Sequence, residues 1–401
     1  MDSLSLALLQ VDWGSLDHAY GPAADAPRQL LALAGDDPEA RSGAVGYLDA
    51  AMLHQGSVYS ATAPVIKIVA MLLADPRTAA PVADILPWDP GPRPLRVALL
   101  DYLAMFAQAC QLEIPGEDLI RDAYPAGRDE ADLQRIYRAR RDCDWRPDPD
   151  PVTRTPPPPA VMEAVNDGEY RRAMHARSLI ACREVVPDVF AAVLPLITGS
   201  GSAVRAPAMT TAAYCLDHPA LASRKDALAE LLADTAAVSP EPRERAVVAR
   251  LLGMLGRRPE DLLHDEHPGV RACAALAREF SGDERATREL VSALEVPQNA
   301  DRWFTGHLPG QDGWLHSDLA EALAARASDL EAVLPAALGL AAASNPFIYN
   351  RDLAPFVRLA FPQAPTKRTE LTTAQRTFLS ALVANGHQPF DEALCLLLLG
   401  T

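Results

Sequence analysis

An all-α fold, built as an α-solenoid of stacked helix-turn-helix units, is the architecture this sequence of 401 residues predicts. Three observations lead there. Residues 36–76 read as one complete repeat, because Asp37–Pro38 and Asp75–Pro76 each offer a capping carboxylate followed by a proline in the first helical turn, where an N–H would lack a partner anyway. The 35 prolines suit such starts and turns, and there is little of the β-branched alternation that marks strands. Hydrophobic residues at 49% and charged residues at 22% describe a folding, globular chain rather than a disordered one.

Taken in order, the first helix is expected over 27–34, with Gly35 closing it. Before it, Trp13, Leu16 and Tyr20 fall at i, i+3 and i+7; on a helix they would share a face and cover the open end of the first repeat. The repeat itself predicts helices over 38–53, with Val45, Leu48 and Met52 on one stripe, and over 62–73. Further helices are expected over 77–86, 95–111 and 116–141, the first two parted by Pro87, Pro90, Pro92 and Pro94. Residues 142–159 carry too many prolines for a helix and read as an extended polyproline-like spacer or strap. That gives an N-terminal block 1–141, a connection 142–160 and a C-terminal block 161–401, read as one continuous solenoid.

In the second block, helices are expected over 160–183, 187–197 and 202–216, with Gly199–Ser202 as a turn. The repeat spacing returns at 239–256 and 265–280. After an interruption at 301–318, helices resume over 319–327, 330–342, 352–360 and 374–384, the last capped by Thr372 or Thr373. The run Leu396–Leu399 must pack under the last repeat or meet a partner, since four exposed leucines invite aggregation.

The formal charge of −16, from 37 basic and 53 acidic residues, opposes general attraction to nucleic acid or to an anionic membrane. Cys110, Cys143, Cys182, Cys215, Cys273 and Cys395 are scattered, with no C-x-x-C spacing, and read as buried free thiols. No apolar run reaches membrane-spanning length and the start lacks a basic signal segment, so a cytoplasmic protein is expected.

Two polar turns are the candidate sites for a partner or ligand. The first offers His54, Gln55 and Tyr59 around Gly56; these side chains equally suit the orphan backbone groups of two helix ends. The second, 301–318, is aromatic: Trp303, Phe304 and Trp314 supply stacking surfaces, and Asp301, His307, His316 and Asp318 supply acid and base groups. Against a pocket stands the plainer reading that this loop packs on the core. His264 and His267 have helical ligand spacing, but Pro268 places them in a turn and no third metal ligand is near. No nucleophile elbow or phosphate loop is present, and no cofactor is implied.

The segments 36–41 and 265–277, an Asp, a Pro and an Arg ahead of an alanine-rich helix, resemble the signature of HEAT repeats. Residues 11–41, 53–76 and 371–382 are similar to a family of actinobacterial HEAT-repeat proteins, and the likeness spans most of the chain except 87–154. The resemblance implies HEAT-like antiparallel helix pairs in a curved right-handed superhelix. It carries over no catalytic residue. In the 265–277 motif, Asp265 is expected to cap, Pro268 to set the first turn, Val270, Ala274 and Leu276 to pack, and Arg271 to pair with the next repeat.

Two functions follow as expectations. The first is a non-enzymatic, protein-binding scaffold, such as a bacterial immunity or regulatory protein whose acidic concave face holds a basic partner, a nuclease toxin for example. The second is a pocket enzyme or small-molecule binder at 301–318; HEAT-like DNA glycosylases build comparable pockets, although the chain's acidity opposes the phosphate contacts they need.

Overall fold

The computed structural model describes residues 2–83, 91–112, 114–141, 156, 158–311, 313–345, 348–362 and 371–386. They fall into two compact units, Met1–Lys225 and Asp226–Thr401. Both are helical. The strands among the described residues are two antiparallel pairs of two residues each, Asp17–His18 with Gly21–Pro22 and Pro81–Val82 with Arg93–Pro94. The all-α class is thus observed. The leucine run 396–399, Cys143, Cys395 and residues 142–155 and 157 of the proline-rich stretch lie outside the described residues.

In the first unit the segment 36–76 folds through its caps. Asp37 accepts from the N–H groups of Glu39 and Ala40 and opens the helix Pro38–Tyr47. That helix widens into a π-turn, Leu48–Met52, and the second helix runs Thr62–Leu72. Asp75 accepts from the Arg77 N–H, but the turn it caps, Pro76–Ala79, ends after one 3-10 turn instead of continuing over 77–86. The cause is Pro81, which drives Ala80 into the extended region. Trp13, Leu16 and Tyr20 also do not share a helix. Trp13 lies in a short 3-10 turn with its indole N–H donated to the Leu8 carbonyl, while Tyr20 sits in the 17–22 hairpin, 47% exposed, where Gly21 turns at φ 123°.

Two further elements differ from expectation. The 116–141 helix breaks into Gly116–Ala123 and Glu130–Arg141, because Tyr124 leaves the helical region ahead of Pro125 and Gly127. Conversely, 160–199 forms a short helix, Pro159–Asn166, and then one unbroken helix of 32 residues, Gly168–Gly199, with Pro187 and Pro195 inside it. Each interior proline removes a backbone hydrogen bond, at about 3 kcal/mol. Burial of Val185, Val186, Val189, Phe190, Val193 and Ile197 on one side holds the helix through them.

In the second unit, Pro242–Met254 packs on Pro268–Ala275, which packs on Glu284–Leu294, which in turn meets Leu315–Arg326 and Leu330–Ala343. The core contains Val248, Leu263, Val270, Phe280, Leu290, Leu319, Leu340, Phe356 and Phe378, all at most 1% exposed. The cap of Pro268–Ala275 is His267, whose Nδ1 accepts from the Gly269 N–H, and not Asp265. Asp265 is occupied by Arg245, at 2.6 and 3.1 Å. Arg271 does reach the next helix, with Nε 3.0 Å from Glu289. Thr372 closes a full capping box with Gln375 at the start of Thr373–Ala384.

Candidate functional site

The loop 301–318 begins after the single turn Pro297–Ala300 and feeds the helix Leu315–Arg326. His316, in that helix's first turn, is 5% exposed. Its Nδ1 lies 2.6 Å from Asp301 Oδ2 and its Nε2 lies 3.0 Å from Oδ2 of Asp352, which belongs to the short helix Tyr349–Asp352. Both ring nitrogens are therefore held by carboxylates. Burial alone would lower the imidazole's pKa, but the two carboxylates outweigh it and raise the pKa to about 9. At neutral pH the ring is a buried cation. Asp318, two residues on, is gripped by Arg250 at 2.6 Å and by Arg351 at 2.5 Å. Two carboxylates thus hold one imidazolium, and beside them Asp318 meets two guanidinium groups, of which Arg351 also lies 3.8 Å from Glu321.

The aromatic residues of the loop do not enclose room for a ligand. Phe304 is 9% exposed and stacks on His267, ring centres 5.3 Å apart. Its ring presses so closely on Gly269 that a Cβ there would lie 2.7 Å from it. Trp303 is half-buried beside it. Trp314 is 47% exposed and meets His307 edge to face at 5.7 Å. The His307 carbonyl accepts from Arg243 at 2.6 Å. The space enclosed by Asp301, Phe304, His307, Gln311 and Trp314 is about 10 Å³, room for about one water and for no substrate. The loop fastens three segments of chain together. His267 is a helix cap, and among the described residues no group of three candidate metal ligands occurs.

The other sequence candidates lie in the first unit. His54 opens a single turn in which Gln55 has φ 52° and ψ 36°, the one left-handed non-glycine among the described residues. His54 Nδ1 is 3.3 Å from the Tyr20 hydroxyl, and the two rings meet edge to face. Tyr59 bonds to Ser57 and is half-buried; burial raises its hydroxyl pKa. Behind Tyr20 sits His18, 6% exposed. Its Nδ1 accepts from the Tyr20 N–H, so the proton is on Nε2 and is donated to Asp25 at 3.1 Å. Tyr47 also donates to Asp25, at 2.9 Å. Nothing local in the sequence signals this assembly, which joins a hairpin, a helix start and a turn.

An open groove of about 580 Å³ is a feature that sequence reasoning misses. It follows the outer face of Glu284–Leu294, where Glu284, Thr287, Arg288, Val291 and Glu295 recur at i, i+3, i+4, i+7 and i+11. Asp283 stands at its end, its carboxyl held below the usual range by the N–H groups of Ala286 and Arg285. The polar stripe is visible as spacing, but a stripe of charge is ordinarily a solvated face. The chain matches no protein-family model, and neither the curated proteins nor the solved structures provide a match.

Proposed function

We propose that the chain is a non-enzymatic binding module, a solenoid of HEAT-like helix pairs that holds a basic protein partner. The observation that carries this reading is the groove along Glu284–Leu294, lined by Asp283, Glu284 and Glu295 with Arg288, where Arg258 pairs with Asp283 at 3.2 Å and Arg288 with Glu284 at 3.5 Å, leaving Glu295 as the acidic group outside these pairs. Its size falls in the range of about 300–1,000 Å³ typical of ligand clefts, and its sign is that of the chain as a whole, −16. Exposed ion pairs contribute about 0–1 kcal/mol each, so the charges steer and select while burial in the groove supplies affinity. Pro242–Met254, Pro268–Ala275 and Glu284–Leu294 pack each on the next, as stacked repeats do. An immunity or regulatory protein that covers the basic face of a target such as a nuclease is the concrete form of this reading.

The pocket-enzyme alternative draws no support from 301–318, since His316 has no nitrogen left to act as a base and the enclosed space admits no substrate. The test is affinity capture at low ionic strength with the wild-type chain and with the double variant Glu284→Lys, Glu295→Lys, with captured proteins identified by mass. A basic protein retained by the first and lost by the second is expected. Identical captured sets would defeat the reading.

A further inference from the structure

We infer that the surface around Tyr20 in the first unit is a second contact point, one that takes a guanidinium side chain from a protein partner. The inference rests on the partner reading for the protein nature of the ligand; the site itself stands on different residues.

The rings of Tyr47, His18, Tyr20 and His54 form a continuous row, each edge to face with the next at 5.8, 6.1 and 5.6 Å. Tyr20 is the exposed member, at 47%. Its place is fixed from both sides, by the backbone N–H bond to His18 Nδ1 and by the contact of its hydroxyl with His54. An exposed aromatic ring held this firmly loses little freedom when a flat cation stacks on it. Next along the row, the Asp25 side chain is 45% exposed. Its Oδ1 receives both His18 and Tyr47, while Oδ2 takes part in neither bond. Two donors converging on Oδ1 fix the carboxylate in direction. Next in sequence to His54, which touches the Tyr20 hydroxyl, Gln55 is exposed in its left-handed turn and carries an amide oxygen.

A ring face, a carboxylate oxygen and an amide oxygen are what a guanidinium uses: it stacks through its plane and donates through its edge. An ammonium has no plane to stack, so arginine is favoured over lysine. An anionic ligand is opposed by Asp25 and by the charge of −16.

The experiment titrates the full-length chain with a peptide of alternating arginine and glycine, and with its counterpart in which neutral citrulline replaces arginine, by calorimetry. The arginine peptide should bind and the citrulline peptide should not. Tyr20→Ala and Asp25→Asn should each weaken binding about fivefold or more, and Tyr20→Phe, which keeps the ring, should stay within about twofold. Because Asp25 also orders His18 and Tyr47, circular dichroism and melting accompany each variant; Tyr20→Phe and Tyr20→Ala together separate the ring from any loss of fold. Unchanged affinity in Tyr20→Ala overturns the site and leaves the partner reading standing. Loss of binding in Glu284→Lys, Glu295→Lys, with Tyr20→Ala unaffected, places the cation in the groove and has the same consequence. Absence of binding by the wild type at low salt overturns both.

Discussion

The Nε2 atom of His316 lies 3.0 Å from Oδ2 of Asp352, a carboxylate with no solvent exposure at all. A buried charge of this kind is tolerable only while its partner carries the opposite charge. The pair therefore ties the helix Tyr349–Asp352 to the start of Leu315–Arg326 in a manner that depends on one proton.

That dependence has a definite sign. The folded-state pKa of His316 is about 9, above the unfolded value of about 6.5. A raised pKa means the folded state binds the proton more tightly, so the stabilisation is complete below about pH 6.5 and is lost as pH rises through about 9. A shift of this size corresponds to about 3 kcal/mol. Urea unfolding of the wild type between pH 6 and pH 10, set against His316→Gln, should show a larger loss in the wild type. Parallel curves for the two proteins would show that the ring does not titrate in that window.

Asp352→Asn should lower the unfolding free energy by about 2–4 kcal/mol and pull the His316 pKa down, because an imidazolium buried between two carboxylates would then have one. Melting temperature reads the first effect and the imidazole proton shift reads the second. An Asp352→Asn protein as stable as the wild type, with an unmoved His316 titration, would mean that Asp301 alone holds the ring.

These contacts also mark the limit of what the sequence discloses. Asp37, Asp75 and Thr372 can be recognised as caps because a cap bonds to N–H groups two or three residues ahead, so cause and effect lie within one turn. Asp301 and His316 can be suspected together, since they share a loop. Asp352 cannot: it is 36 residues beyond His316, in a segment that reads as an ordinary helix start. The same distance problem hides the role of Asp265, which accepts the His267 N–H ahead of the helix and pairs with Arg245, 20 residues earlier. Pro187 reads as a helix start by local propensity, and the buried face from Val185 to Ile197 overrides it.

Glycine substitutions test the packing of the second unit against a control in the first. A Cβ at Gly339 would lie 2.1 Å from the Leu294 carbonyl oxygen and 2.6 Å from that of Glu295, and backbone atoms cannot swing aside. Gly339→Ala should therefore cost about 2–4 kcal/mol despite better helix propensity, by separating Leu330–Ala343 from the end of the groove helix. Gly43, inside Pro38–Tyr47, has nothing within 4 Å of where a methyl group would sit, so Gly43→Ala should add about 0.5–1 kcal/mol. Denaturant midpoints moving in the same direction for both would contradict the close approach at Gly339.

The turn at Gln55 separates a structural role from a binding one. An L-residue at φ 52° gives up about 1–2 kcal/mol relative to a right-handed conformation, and glycine escapes that penalty while adding freedom to the unfolded chain. The two effects oppose each other and leave Gln55→Gly neutral to about 1 kcal/mol more stable. Gly56, at φ 77° with open space around it, should show the reverse, Gly56→Ala losing about 1 kcal/mol from backbone conformation alone. If the exposed amide of Gln55 contributes to gripping a guanidinium, Gln55→Gly should bind the arginine peptide more weakly while melting no lower than the wild type. A fall in melting temperature of several degrees would instead make Gln55 a structural residue of the turn, because a side chain that merely awaits a partner cannot stabilise the free protein.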